Sequence, residues 1–468
     1  MRTQSQTLAW AGPRGTWQGV RPRRVAIALA ERRELLFVAL QVPVGLVVRN
    51  QALLGTLHSL LILTLGLAWS TSQRTVHRTI LAAAYVAGAE VLWRMSGGLV
   101  IYEFGKYAVA LLMLAALLRL PGHSRAGTGG LLYIVLLLPS IFLTVDVLGM
   151  TFSARREISF NLSGPFALAL AVLCLSRMPA GRLLLRQVVV ALSAPVIGIA
   201  AVAGRSTFEA SHIRFTTNSN FVTSGGFGPN QVSAVLGLGA LFSILLAFTA
   251  RTTLARMGFL AIAAAELIQA TLTFSRGGVI NSLICVSLLA VHLLRRPRVR
   301  AVVILSLLVF AVLARVVLVP QLETFTGGAL GQRFGDLNPG LRQTLAKDEI
   351  GIWYRHPLLG VGPGMAKRYR HANYEYAIAA HTEYTRMLAE HGFFGFIALL
   401  ILIVLPIRAY LRAPTTMTKA WVAMTAGWAM LEMLHAAMRI GAISFVYALS
   451  LLAWTAADQR RRARGYRR

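Results

Sequence analysis

His356-Pro357-Leu358-Leu359-Gly360-Val361-Gly362-Pro363-Gly364 lies inside the one long polar segment, Pro320 to Gly392, of a chain that otherwise passes from apolar stretch to apolar stretch. Neither helix nor strand suits so many glycines and prolines, so a turn is expected there. Ahead of it, Asn338-Pro339-Gly340 reads as a helix start, with Asn at the cap and Pro at the first helical position. That helix would carry Leu341, Leu345 and Ile352 and end at Tyr354 or Arg355, before His356-Pro357. Behind the turn, a second helix is expected through His381, Tyr384 and Leu388, which share a face by the i, i+3, i+7 rule, with its end at Gly392.

Outside this segment, composition decides the class. The chain has 468 residues, 56% hydrophobic and 14% charged, with a mean hydropathy of +0.63, which excludes a soluble multidomain enzyme. The expected fold is all-α, a polytopic membrane protein with about 12 to 14 transmembrane helices and one large helical periplasmic loop. Candidate spans centre near residues 42, 61, 88, 108, 140, 169, 196, 239, 265, 286, 310, 402, 429 and 448. The layout is a basic cytoplasmic arm over 1–33, spans with short loops over 34–319, the large loop over 320–392, C-terminal spans over 393–457 and a basic tail over 458–468.

Orientation follows from arginine. With both termini cytoplasmic, the inside connections collect Arg74 and Arg78, Arg119 and Arg125, Arg177, Arg182 and Arg186, Arg251 and Arg256, the run Arg295 to Arg300, and Arg408, Arg412 and Lys419. Residues 320–392 then lie on the outer side, periplasmic or extracellular. The net charge of +30 is spread over many short loops, which reads as topology and contact with anionic membrane lipids, not nucleic acid. The N-terminal arm holds no apolar stretch of signal-peptide type. Cys174 and Cys285 both fall inside expected spans, and their spacing suggests neither a disulfide nor a metal site.

The polar residues that remain gather toward the outer side. Glu90, Arg94, Glu103 and Lys106 flank one outer connection, where a structural ion-pair network fixing two neighbouring helices is favoured over a catalytic role. The next outer loop carries Arg205, Glu209, His212 and Arg214, then Gly225-Gly226-Phe227-Gly228-Pro229-Asn230 directly before a span. Glycines ahead of a helix start can present backbone N–H groups to a phosphate, or can simply make a re-entry turn. Thr273-Phe274-Ser275-Arg276-Gly277-Gly278 turns straight back into the membrane. Its arginine suits either bidentate phosphate recognition or snorkelling to the interface.

Taken together, Phe227-Gly228-Pro229-Asn230, Ser275-Arg276-Gly277-Gly278, Arg342 ahead of His356-Pro357-Leu358-Leu359-Gly360-Val361-Gly362, and His381-Thr382-Glu383-Tyr384 leading to Glu390-His391-Gly392-Phe393-Phe394-Gly395 resemble the bacterial O-antigen ligase and polymerase superfamily, integral membrane glycosyltransferases of the GT-C type. The resemblance covers roughly residues 200 to 400. It implies an inner-membrane enzyme that takes a glycan from undecaprenyl diphosphate and transfers it on the periplasmic side, without a metal or other cofactor and with inversion at the sugar carbon. It further implies that Arg214 and Arg276 grip the diphosphate, that His381 is the essential histidine, and that Arg342 is a further basic position of the large loop. Gly228-Pro229-Asn230 stands where many members have Asn-Pro-Asn, and Thr382-Glu383 where many have Asn or Ser after the histidine.

The chemistry suits those residue types. Transfer from a lipid diphosphate builds negative charge on the leaving phosphates, which fixed arginines stabilise. A histidine of near-neutral pKa can take the acceptor's proton, so His381, Arg276 and Arg214 are the catalytic candidates. Alternatively, His381 orients the donor and Glu383 or Glu209 is the base. Arg342, Arg205, Tyr384, Asn230 and Lys106 are the substrate-binding candidates. The expected reaction joins a lipid-linked polysaccharide to lipid A-core or another surface acceptor. A polymerase using a second lipid-linked glycan, and a flippase without chemistry, are the alternatives.

Overall fold

The structure, a computed structural model, describes residues 20–295, 297–336, 341–370, 380, 382–435 and 437–454. The architecture is all-α. The single extended feature among the described residues is a two-residue parallel pair, Pro179–Ala180 with Ala453–Trp454. Eight helices are long and apolar enough to cross a membrane: Ala52–Trp69, Arg125–Leu148 (broken at Pro139), Phe152–Leu175, Arg182–Glu209, Pro229–Thr249, Thr253–Leu272, Arg276–Leu294 and Glu383–Arg412. The other six expected spans are helical too. Gln41–Asn50, Phe104–Leu117, Pro297–Leu313 and Gly441–Leu449 are shorter, whereas Val76–Met95 and Thr416–His435 carry charge along their length.

Apolarity on all sides cannot tell a helix which face to bury in lipid, so small residues decide the packing. Pro229–Thr249 lies at the centre, with 83% of its apolar window buried, against 17% for Ala52–Trp69 at the periphery. Val76–Met95 packs against Arg182–Glu209 so closely that a Cβ on Gly88 would stand 2.1 Å from the Leu192 carbonyl oxygen.

The polar segment folds over one end of this bundle. It begins with Val319–Thr326 and Ala329–Gly335 and continues as Leu341–Arg355, which buries Leu345 and Ile352 and ends directly before His356-Pro357 as the sequence requires. Asn338, Pro339 and Gly340 lie outside the described residues.

The glycine-rich turn and the end of the second helix interlock. Val361 N–H donates to the Ala389 carbonyl at 3.0 Å, Gly362 N–H to that of Glu390 at 3.0 Å, and Phe393 N–H to that of Pro357 at 2.7 Å. Gly392, at φ 58° and ψ −135°, breaks the Glu383–Arg412 helix there. Its missing side chain leaves room for the Leu358 backbone, which a Cβ would approach to 2.6 Å. Gly360, at φ 68°, makes the reciprocal approach, 2.4 Å from the Glu390 backbone. The segment is tied down by Thr144 Oγ1, which donates to the Pro363 carbonyl at 3.0 Å, and by a 2.6 Å pair between Lys367 and Glu157. Beneath it, buried Arg386 pairs with Glu383 and Glu390, and buried Glu349 accepts from Arg370 and from Thr385 at 2.6 Å. Burial pushes the Glu349 carboxyl up, against the Thr385 hydrogen bond and the Arg370 charge.

Gly392→Ala should therefore cost roughly 1–3 kcal/mol for the left-handed backbone alone, before the clash with Leu358. A thermal melt in detergent checks this: a clearly lowered midpoint is expected.

Candidate active site

The Arg276 turn is built under strain. Phe274 takes φ 58° without being glycine, a conformation that persists only where its surroundings over-determine it. Its ring is fully buried and stacks on Phe215 at 5.2 Å, while its carbonyl accepts from Arg333 Nε at 3.0 Å. Around it, Asn220 N–H donates to the Thr273 carbonyl at 2.8 Å, and Ser233 Oγ donates to that of Ser275 at 2.7 Å. The chain leaves this turn as the Arg276–Leu294 helix, so Arg276 stands in the first turn of a helix whose positive end faces out of the bundle.

Three helix starts meet at this place. Asn230, in the first turn of Pro229–Thr249, accepts from Ser275 Oγ at 2.8 Å. Arg342, in the first turn of Leu341–Arg355, donates through Nη1 to His435 Nδ1 at 2.8 Å. His435 ends Thr416–His435, and its Nε2 lies 3.3 Å from Ser275 Oγ. Arg276 reaches up to the Asp336 and Arg333 carbonyls of the loop above. Burial pushes the Arg342 guanidinium down from its ordinary value, and the charges of Arg333, Arg276 and Arg439 push it further, with Glu432 opposing. Burial and then Arg276 do the same to Arg333.

The result is a set of four half-buried guanidinium groups at convergent helix N-termini, with Arg342 within Coulombic reach of the other three and Arg333 of Arg276. Such a site favours an anion with several oxygens, as a diphosphate has. Among the described residues, no three histidine, cysteine, aspartate or glutamate side chains gather as a metal site would need.

His381 itself lies outside the described residues. Its neighbours are placed: Arg439 donates through Nη2 to the Ala380 carbonyl at 2.6 Å, and Thr382 caps the following helix by accepting from Tyr384 N–H at 3.2 Å. The helix expected to run through His381 begins instead at Glu383, because Thr382 is extended at φ −117° and ψ 134° and serves as its cap, so only Tyr384 and Leu388 of the expected face lie on it. The Tyr384 hydroxyl is engaged with the Met430 carbonyl at 2.9 Å, pinning the helix start to Thr416–His435. Glu383 is buried and committed to Arg386 and to Met438 N–H.

Arg276, Arg342 and Asn230 are thus brought together, and the other candidates stand elsewhere. The Phe215–Phe274 stack brings the Arg214 loop beside the turn, but the Arg214 side chain is exposed and makes no hydrogen bond or ion pair among the described residues. Arg205 forms an exposed pair with Glu209 at 2.7 Å and approaches Asn50.

Lys106 is fully buried beneath Tyr102 and Phe160, with its Nζ 5.6 Å from the Phe160 ring centroid. Next to it Glu90 pairs with Arg94 and accepts from Gly441 N–H at 2.5 Å. Arg94 donates to Gln231 at 2.6 Å and to the Arg439 carbonyl at 3.0 Å, so this network buttresses Arg439 from below. A cleft of about 200 Å³ opens beside it, lined by Glu90, Arg94, Tyr102 and Phe227 among others.

Sequence reasoning missed Arg333, Arg439 and His435. The signal available was His435 and Arg439 one turn apart at the polar end of an apolar span, which an account centred on the large loop passes over.

A polytopic membrane protein with a cationic site at one end of its helical bundle is the class these features define. Residues 267–400 match the family model described as O-antigen ligase, which supports the resemblance to the O-antigen ligase and polymerase superfamily. No curated protein matches the chain. The matched stretch contains Arg276, Arg333, Arg342, the glycine-rich turn and His381, and it stops short of His435 and Arg439.

Arg333→Ala should both release the Phe274 carbonyl and thin the cluster. Binding of a prenyl diphosphate, measured by calorimetry in detergent, is expected to weaken on the order of tenfold.

Proposed function

We propose that the chain is a ligase-type glycosyltransferase. It takes a glycan from undecaprenyl diphosphate and joins it to lipid A-core or another surface acceptor on the periplasmic side of the bacterial inner membrane. The observation that carries this reading is the convergence of Arg276, Arg333, Arg342 and Arg439 on helix N-termini at one end of the bundle. The acceptor hydroxyl oxygen attacks the anomeric carbon as the bond from that carbon to the phosphate oxygen breaks, so one displacement inverts the centre. The leaving diphosphate gains negative charge, and the guanidinium groups stabilise it most in the transition state.

The acceptor's proton goes to His381. Supporting that role, the preceding residue is fixed on Arg439, at the edge of the cluster. Glu383 and Glu209 are weaker choices of base, the first being buried in an ion-pair network and the second held in an exposed pair far along another helix. Arg214, one residue from the Phe215–Phe274 stack and exposed, would reach the donor from the neighbouring loop. The polymerase alternative uses the same donor site and differs only in acceptor.

The test is a transfer assay with purified protein in detergent, given a polyprenyl-diphosphate glycan and each acceptor in turn. Transfer to lipid A-core is expected. Transfer only to a second lipid-linked glycan makes the protein a polymerase, and movement of glycan across vesicles with no transfer makes it a flippase. His381→Ala should abolish transfer while leaving donor binding measurable. Full turnover by that variant would remove the base assignment.

A further inference from the structure

His435 meets the Arg342 guanidinium and lies against the Arg276 turn, and its hydrogen bonds determine its tautomer. Arg342 Nη1 lies 2.8 Å from His435 Nδ1, and a guanidinium can only donate, so Nδ1 carries the lone pair. The ring proton therefore sits on Nε2, 3.3 Å from Ser275 Oγ, which in turn donates to Asn230 Oδ1 at 2.8 Å. One chain of hydrogen bonds thus runs from Arg342 through His435 and Ser275 to Asn230, joining three helix starts to the end of a fourth helix. The ring lies flat against the Arg276 turn: a Cβ on Gly277 would stand 2.2 Å from His435 Cδ2. One turn back, Glu432 accepts from Asn281 at 2.9 Å and supplies an opposing charge on Arg342.

Arg333, Arg276 and Arg439 all repel Arg342. Without an acceptor to hold it, an arginine on a loop helix would turn away from three like charges. We propose that His435 is a positioning residue that holds the Arg342 guanidinium within the cluster, ready for the donor's diphosphate, and that Gly277 is glycine because this ring must lie on it. The inference rests on the diphosphate reading given under Proposed function, and it assigns His435 no contact with the reacting atoms.

The experiment measures binding of a prenyl diphosphoryl monosaccharide to full-length protein in detergent, with a melting curve for every variant. His435→Leu, which removes the acceptor, should weaken binding on the order of tenfold. His435→Asn, whose side-chain oxygen can replace Nδ1, should stay within about twofold of wild type. Arg342→Gln should lose as much as His435→Leu, and the double variant His435→Leu/Arg342→Gln should lose no more than Arg342→Gln alone. Gly277→Ala, whose Cβ would stand 2.2 Å from His435 Cδ2 and 2.3 Å from its Cγ and Nε2 and so displaces the ring, should reproduce the loss. Multiplying losses in the double variant, no rescue by His435→Asn, or wild-type binding by His435→Leu would each overturn the proposal.

If His435→Leu does not fold, His435→Asn against Arg342→Gln decides: equal losses overturn it and a clear advantage for Asn supports it. Binding lost in Arg276→Ala but unchanged in His435→Leu overturns this inference alone. Wild-type protein that fails to bind the probe overturns the diphosphate reading and this inference with it.

Discussion

Gathering four guanidinium groups where helix dipoles already point their positive ends raises the free energy of the empty protein, and this repulsion organises the molecule. Each arginine is held by something other than an acid at the centre. Arg276 is anchored by carbonyls of the loop above, Arg333 by the Phe274 carbonyl, Arg342 by a neutral histidine and Arg439 by the Ala380 carbonyl. Carbonyls and an imidazole lone pair fix position without cancelling charge. Of the nearby acids, Glu432 is held by Asn281 and Glu90 by Arg94, while the Asp336 charge opposes the repulsion on Arg333. A ligand carrying two phosphates would relieve the repulsion, which is the thermodynamic basis of the proposed donor site.

The rest of the outer structure keeps that arrangement rigid. The left-handed Phe274 and the interlocked glycines at 360 and 392 are local costs that persist only because buried contacts over-determine them. The turn at 356–364 contributes no side chain to the cluster. It clamps the break at Gly392 within the Glu383–Arg412 helix. A family motif that looks chemical in sequence is here mechanical.

Much of this was legible in the sequence because it depends on length and local backbone chemistry. Apolar runs of membrane length, the stop at His356-Pro357 and the break at Gly392 follow from hydrocarbon thickness, from proline's effect on its predecessor and from glycine's freedom. The site was legible only in part. Arg276 and Arg342 carried signals, one between glycines at a tight turn and the other near a helix start. Arg205 carried the same signal of charge in an outer loop, yet it pairs with Glu209 one turn away, a contact that costs nothing to form locally. Arg333, Arg439 and His435 were missed because what matters in them is position: His435 meets Arg342 across 93 residues of chain. No periodicity encodes which arginines share a centre. Lys106, expected to bind substrate, is sealed under two aromatic rings, because burial at a helix start is decided by neighbours on other helices.

The central claim concerns where the diphosphate sits, and the direct measurement is an experimental structure of the protein with a prenyl diphosphoryl sugar bound. The account predicts the two phosphates between Arg276, Arg333, Arg342 and Arg439, with the sugar's anomeric carbon on the side of residue 381. Phosphates bound at the Arg205 and Glu209 surface, in the cleft beside Tyr102, or at the opposite end of the bundle would contradict it.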